Sequence, residues 1–320
     1  AIRAIQHEVF QRGGELFRIL GDGEDSTLTQ ITAEAVDLML NKAVCFQREV
    51  IRGRGEERGL VLENTCAPTW LAKQLVKLQQ WPAVRPINAL AFGPFLDAKG
   101  RVAGHKKGYD VATGVWTATE FDGPQIPHEP TDADAIAALE KLKNVVREFP
   151  FDDDTGFSVY LAAILTILAR NYLNAVRPAF LFAASAPGSG KTLLAKIVGI
   201  IGAGKEPGAF TLSPERQEEA RKQITSFLQS GEPILFFDNI SGQFGGPDID
   251  RLITTRKWTD RPLYSAQSVT VDTNITILAT GNNLGTERET SRRCVALRIA
   301  PACENPSART FAIPDLRQYA

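Results

Sequence analysis

Residues 185–192 read SAPGSGKT and lie between the apolar run FLFAA and the apolar segment LLAKIVG. Strand, glycine-containing loop and helix in that order form a phosphate cradle. Gly188 and Gly190 let backbone N–H groups turn inward with no Cβ in the way. The helix start beyond them adds its dipole. The nucleotide-binding residues read from this stretch are Ala186, Pro187, Gly188, Ser189, Gly190, Lys191, Thr192 and Leu193. Lys191 would reach the β- and γ-phosphates of ATP, and the Thr192 hydroxyl would ligate Mg²⁺. The pattern G-x-x-x-x-G-K-[ST] begins with glycine, and here that place holds Ser185. A small residue serves there if the turn keeps φ negative.

Three further groups extend the site. PILFFDNI (233–240) reads as an apolar strand ending in Asp238, the carboxylate expected to hold the same Mg²⁺. The next residue is Asn239, where a general base would carry a carboxylate; an amide can position a water but cannot accept its proton. ITILATGNN (275–283) reads as a strand whose Asn282 would sit between the other two strands, near the γ-phosphate; the alternative is a turn-forming Asn pair. SRRCVALRI puts Arg292 and Arg293 before a last strand, either to meet a neighbouring subunit's γ-phosphate or as a solvated basic pair.

The elements that must position these groups alternate after Arg177. AFLFAAS, GAFTLS, PILFFD, NITILAT and CVALRIA read as strands with helices between them, which predicts a three-layer α/β domain with a mainly parallel sheet. Upstream, TAEAVDLMLNKAV and APTWLAKQLVKL have helical spacing, with Leu71, Leu75 and Leu78 on one face. GYDVATGVW (108–116) reads as two short strands about a Thr-Gly turn. DGPQIPHEPTD (122–132) is proline-rich and reads as a linker. Thr131 with Asp132 and Asp134 starts an amphipathic helix, and FSVYLAAILTILARNYLNAV continues as a helix greasy enough to require burial. The organisation expected is a smaller N-terminal α/β domain over 1–125, a linker and helical collar over 126–176, and the ATPase domain over 177–320.

The 320 residues carry a net charge of −1, which argues against a surface built mainly for duplex DNA but leaves room for a local basic channel. Cys45, Cys66, Cys294 and Cys303 form no C-x-x-C pair and His7, His105 and His128 are scattered, so neither a zinc site nor a disulfide framework is expected. The longest apolar run, YLAAILTILA (160–169), is short of the roughly 20 residues a membrane span needs. No signal peptide opens the chain, and the expectation is a cytoplasmic protein of a bacterium or of a phage's bacterial host.

Taken together, SAPGSGKT, FFDN and ATGNN…SRR resemble the AAA+ ATPases of superfamily 3 helicase type, in particular primase-helicase and replication proteins of phages and mobile elements. The segment 248–271 is similar to the helix-plus-hairpin that such proteins carry between the magnesium-binding strand and the sensor strand. GYDVATGVW is also similar to a stretch upstream of their ATPase. The resemblance covers about residues 108–116 and 150–310, and Ser185, Asn239 and the lack of a primase motif depart from it. It implies an ATP- and Mg²⁺-dependent DNA helicase, a homo-hexameric ring on single-stranded DNA that works with a primase or other replication proteins. The hairpin would project into the pore, with Arg256 and Lys257 on phosphates and Trp258 on a base face; the alternative is a surface turn with a buried tryptophan. The rival readings are a nucleotide-gated assembly ATPase with weak hydrolysis and a protein-remodelling ATPase without unwinding.

Overall fold

The computed structural model describes residues 1–54, 58–123, 127, 129–173, 175–211, 217–262, 268–301 and 311–320. His128, Cys303, part of the proline-rich linker, the end of GAFTLS and the hairpin tip at 263–267 lie outside the described residues. The chain divides into two compact units, one of residues 1–21 with 25–88, the other of 22–24 with 89–320.

In the first unit the strands Thr27–Gln30, Glu15–Leu20, Phe10–Arg12 and Arg85–Pro86 form a sheet in that order. Helices Ala33–Ala43 and Thr69–Lys77 fall where the spacing placed them, the first capped by the Thr32 hydroxyl. Leu75 is buried with Leu16, Val36, Leu40 and Trp81, whereas Leu78 follows the last turn and is exposed. A second hairpin, Phe46–Arg52 with Gly59–Thr65, was not read from the sequence.

The unit boundary falls near residue 88 rather than 125. Ala89–Ala91 is a wholly buried strand that pairs in parallel with Val115–Thr117, and the Leu90 N–H donates to the Gly231 carbonyl at 3.0 Å. Residues 89–117 therefore pack within the second unit. The 108–116 stretch forms the expected hairpin, with the Asp110 carboxylate accepting from the Ala112 N–H and the Thr113 hydroxyl.

Helix α1 (Asp132–Val146) opens on a reciprocal cap between Thr131 and Asp134. Helix α2 (Thr155–Leu168) buries Val159, Tyr160, Ala163, Ile164 and Ile167. It stops at Leu168 rather than continuing to Val176; Asn171, which follows, favours turns and caps over helix interior.

Beyond it come β1 (Ala179–Ala184), α3 (Lys191–Ala203), β2 (Ala209–Phe210), α4 (Gln217–Ser230), β3 (Ile234–Phe244), α5 (Pro247–Thr254), β4 (Lys257–Asp260), β5 (Val269–Asp272), β6 (Thr276–Thr286), α6 (Arg288–Ser291) and β7 (Cys294–Ile299). Strands β2, β3, β6, β1 and β7 form, in that order, a five-stranded sheet in which every pairing is parallel. Alternation along β1 makes the layers. Phe180, Phe182 and Ala184 pack in one core with α2 and α3, while Ala179 and Leu181 pack in another with residues of α4 and α5. A fully buried Phe or Leu side chain contributes roughly 1.5–3 kcal/mol, so Phe180 and Phe182 on one face and Leu181 on the other anchor β1 from both. Among the described residues no helix is long and apolar enough to cross a membrane.

Candidate functional site

The glycine loop joins the C-terminal end of β1 to the start of α3. Gly188 and Gly190 have φ of +73° and +96°, in the left-handed region that side chains disfavour. At Gly190 space is limiting as well, since a Cβ there would stand 3.2 Å from the Phe149 ring. Ser185 is not among the residues with positive φ, so the missing first glycine costs the turn nothing. Lys191 is 7% exposed, and burial holds its pKa below the ordinary lysine value, an effect the Asp238 carboxylate partly offsets. The buried Ser189 hydroxyl has no hydrogen-bond partner among the described residues.

Asp238 is placed by β3 opposite this loop. Its Oδ1 accepts the Thr192 hydroxyl at 2.8 Å and the Thr280 hydroxyl at 2.6 Å. Thr192 and Asp238 thus present two hard oxygen ligands side by side, a donor pair suited to Mg²⁺ with nucleotide phosphates and water completing the shell. Strand β6 lies between β1 and β3, and Asn282 pairs in register with Ala184 on one side and Ser241 on the other. This puts Asn282 level with the start of the loop. Its side-chain oxygen is buried with no hydrogen-bond partner among the described residues, which leaves it available to a ligand. Thr280, which ties Asp238 to β6, was not singled out by the sequence reading; the T-x-N spacing was its signal.

Asn239 has a backbone reason for its identity. It lies in a register irregularity between Phe237 and Ile240, at φ +56°, with its N–H donating to the Thr280 hydroxyl at 2.8 Å. Asparagine tolerates the left-handed region better than most residues. Asn239→Glu is expected to be about 1–2 kcal/mol less stable than Asn239→Gly in chemical denaturation, because only glycine relieves the backbone. Equal stabilities would place no strain at this position.

An apolar cavity of about 260 Å³ adjoins the loop, bordered by Gly188, Ser189, Gly190, Val145, Phe149 and Phe311 among others. The C-terminal segment that closes one side is tied down by Glu148, whose oxygens accept the Ala312 N–H at 3.1 and 3.0 Å. Phe149 and Phe311 are far apart in sequence, and no motif marks either.

The remaining candidates lie elsewhere. Strands β4 and β5 form the expected hairpin, and Arg256 and Lys257 are exposed at its base. Trp258 corrects the expectation of a base-stacking residue: it is 0% exposed, and its indole N–H donates to the Thr225 hydroxyl at 2.8 Å. The cause is strand alternation, which turns Trp258 inward with Val271 and leaves Lys257 and Thr259 outward. Arg292 pairs with Glu289 at 2.5 Å, and Arg293 donates to the Glu289 carbonyl at 3.0 Å. Both precede β7, whose first residue pairs with Ala179, so they sit at the opposite sheet edge from their own glycine loop.

No protein-family model matches the chain, and no curated protein matches it. Among solved structures, the A-form apo structure of the NrS-1 C-terminal region is similar at 12% identity and TM-score 0.42, covering 82% of this chain and 60% of that one. A second structure of that region gives 13% identity, TM-score 0.39 and coverages of 88% and 64%. A JCV helicase bound to a thiazolopyridine compound gives 14% identity, TM-score 0.33 and coverages of 52% and 45%. The chain thus spans less than two thirds of the length of each, and the likeness carries no functional argument.

Proposed function

We propose that the chain is an ATPase of helicase type that binds Mg·ATP at the glycine loop and works as a ring on single-stranded DNA. The observation that carries the nucleotide site is the meeting of Thr192 with Asp238 at the loop that presents Lys191. In this reading Lys191 neutralises the β- and γ-phosphates, and backbone N–H groups of residues 186–193 hold the remaining oxygens. The metal supplies charge neutralisation on the phosphates when bound, held by Thr192 and Asp238. Thr280 keeps Asp238 oriented, Asn282 contacts the γ-phosphate, and the cavity between Phe149 and Phe311 takes the base. Asn239 positions water without accepting its proton. Arg292 or Arg293 acts on a neighbouring subunit of a homo-hexamer, because neither lies beside its own loop. A primase or another replication protein is the partner the resemblance suggests.

Exposed Arg256 and Lys257 carry the single-strand part of the proposal. With several phosphates met around a ring, affinity for a labelled oligonucleotide is expected to fall steeply with salt, and Arg256→Gln with Lys257→Gln to flatten that slope. Anisotropy with an ATP analogue present measures it. Wild-type protein that turns over ATP but shows no oligonucleotide affinity at low salt would support the second reading, a nucleotide-gated assembly or remodelling ATPase. Asn239 in place of a carboxylate and the burial of Trp258 are the observations that favour it.

A further inference from the structure

Three arginines converge on a small cavity at the other edge of the sheet. Arg177 precedes β1 and Asn274 precedes β6, so the cavity they line lies at the N-terminal ends of the parallel strands. The glycine loop leaves the C-terminal end of β1, roughly 20 Å away for a six-residue strand at about 3.3 Å per residue. The cavity is about 170 Å³, well above the roughly 30 Å³ of one water, and opens to solvent past Leu173 and Ala175. Arg170, Asn171, Arg177, Arg256, Asp272 and Asn274 supply its polar walls.

Among the described residues, the hydrogen bonds of Arg170 and Arg177 go to neutral acceptors. Arg170 is only 2% exposed and lies 5.6 Å from the Phe95 ring centre. Its terminal nitrogens reach the Ile167 carbonyl at 3.2 Å and the Leu90 carbonyl at 3.5 Å, neutral acceptors only. Arg177 donates one terminal nitrogen to the carbonyls of Arg170 and Leu173 and to the Asn274 side-chain oxygen, again all neutral. Asp272 is the one carboxylate among the described lining residues, against three guanidinium groups. The Nε atoms of Arg170 and Arg177 and the side-chain nitrogen of Asn171 are buried with no hydrogen-bond partner among the described residues. Burial and then the Arg177 charge pull the Arg170 pKa down to about 10, against a smaller opposing pull from Glu232. Burial and then Arg256 lower that of Arg177. Buried donors of like charge with open valences call for an anion with several oxygens.

We propose that this cavity binds a phosphate-class oxyanion between Arg170, Arg177 and Arg256, with the Asn171 amide as a further donor. The oxyanion is either a free phosphate or a backbone phosphate of a bound single strand. Only the second source rests on the helicase reading. Arg256 at the hairpin base links the cavity to that reading, whereas nothing assigned to the glycine loop takes part.

The test uses the Lys191→Ala protein, which removes the loop's lysine contact to phosphate; any phosphate still held by the loop's backbone N–H groups is untouched by the cavity variants. Replacing chloride with inorganic phosphate at matched ionic strength is expected to raise its Tm. Adding Asn171→Asp places a carboxylate in the cavity and retains the acceptor for Asn274; it is expected to raise Tm without phosphate and to abolish the cavity's phosphate increment. Arg256→Gln, at an exposed position, is expected to reduce the increment. A phosphate increment that is absent, or that survives both variants undiminished, overturns the proposal. The source is decided by oligonucleotide anisotropy with Lys191 intact. A salt slope smaller by about 0.7 in Asn171→Asp marks a backbone phosphate, and an unchanged slope together with a lost phosphate increment marks a free one. Wild-type protein without oligonucleotide affinity removes the helicase reading and leaves the thermal arm of this test standing.

Discussion

Asp238→Ala is expected to lower Mg²⁺-dependent ATP hydrolysis by about 10³-fold or more while leaving the protein folded. The carboxylate is the acceptor for two hydroxyls, Thr192 at 2.8 Å and Thr280 at 2.6 Å, and it is the only acidic group that the structure brings to Thr192 by hydrogen bond among the described residues. In the proposed site, removing it takes away one metal ligand and the orientation of the other. The metal's charge stabilisation of the transition state amounts to several kcal/mol, and each 1.36 kcal/mol is tenfold in rate. Nucleotide binding without Mg²⁺ is expected to be retained, because Lys191 then loses a competing carboxylate neighbour. Steady-state turnover and metal-free binding of an ATP analogue check the two halves separately. Turnover within a few-fold of wild type would remove Asp238 from the metal site.

Trp258→Ala is expected to cost about 3–5 kcal/mol of unfolding free energy, the usual range for truncating a buried aromatic. The indole is wholly enclosed with Ile224, Leu228, Leu252 and Val271, Arg251 lies 4.1 Å from its ring centre, and truncation leaves the Thr225 hydroxyl without the indole donor. Chemical denaturation measures the loss. In conditions where the variant stays folded, oligonucleotide affinity is expected to equal that of the wild type. Base stacking would give the opposite pair of results, near-normal stability and a loss of about 1–3 kcal/mol in single-strand binding.

The two predictions mark where the chain's chemistry was and was not legible. The glycine loop, its strand and its helix were readable because each signal is local: glycines at fixed offsets, a lysine-threonine pair, and apolar runs of strand and helix length. The parallel pairing of the five strands follows from the same alternation of elements, whereas their order in the sheet does not. For Trp258 the residue types leave two readings, a base-stacking residue and a buried tryptophan, and the pairing of KWTD with the alternating VTVD decides for the second. Asn239 was weighed only for its side chain, and its left-handed backbone has no sequence marker beyond the residue type itself. The cavity beside the loop joins Phe149 to Phe311, and the arginine cavity joins the end of a helix to the foot of a hairpin. Such groupings depend on tertiary packing and leave no spacing to read. The proline-rich stretch after residue 121 drew the domain boundary too late, because the pairing of Ala89–Ala91 with Val115–Thr117 is also non-local.

The central claim is a working nucleotide site at the SAPGSGKT loop, and its most direct test is the affinity of a fluorescent ATP analogue for wild-type and Lys191→Ala protein. Lys191 is buried against the loop, and its loss removes a charge-assisted hydrogen bond worth roughly 1.5–3 kcal/mol. The account predicts tight binding by the wild type and affinity about 10- to 100-fold weaker in the variant. Equal affinity in the two proteins, both shown to be folded, would contradict it.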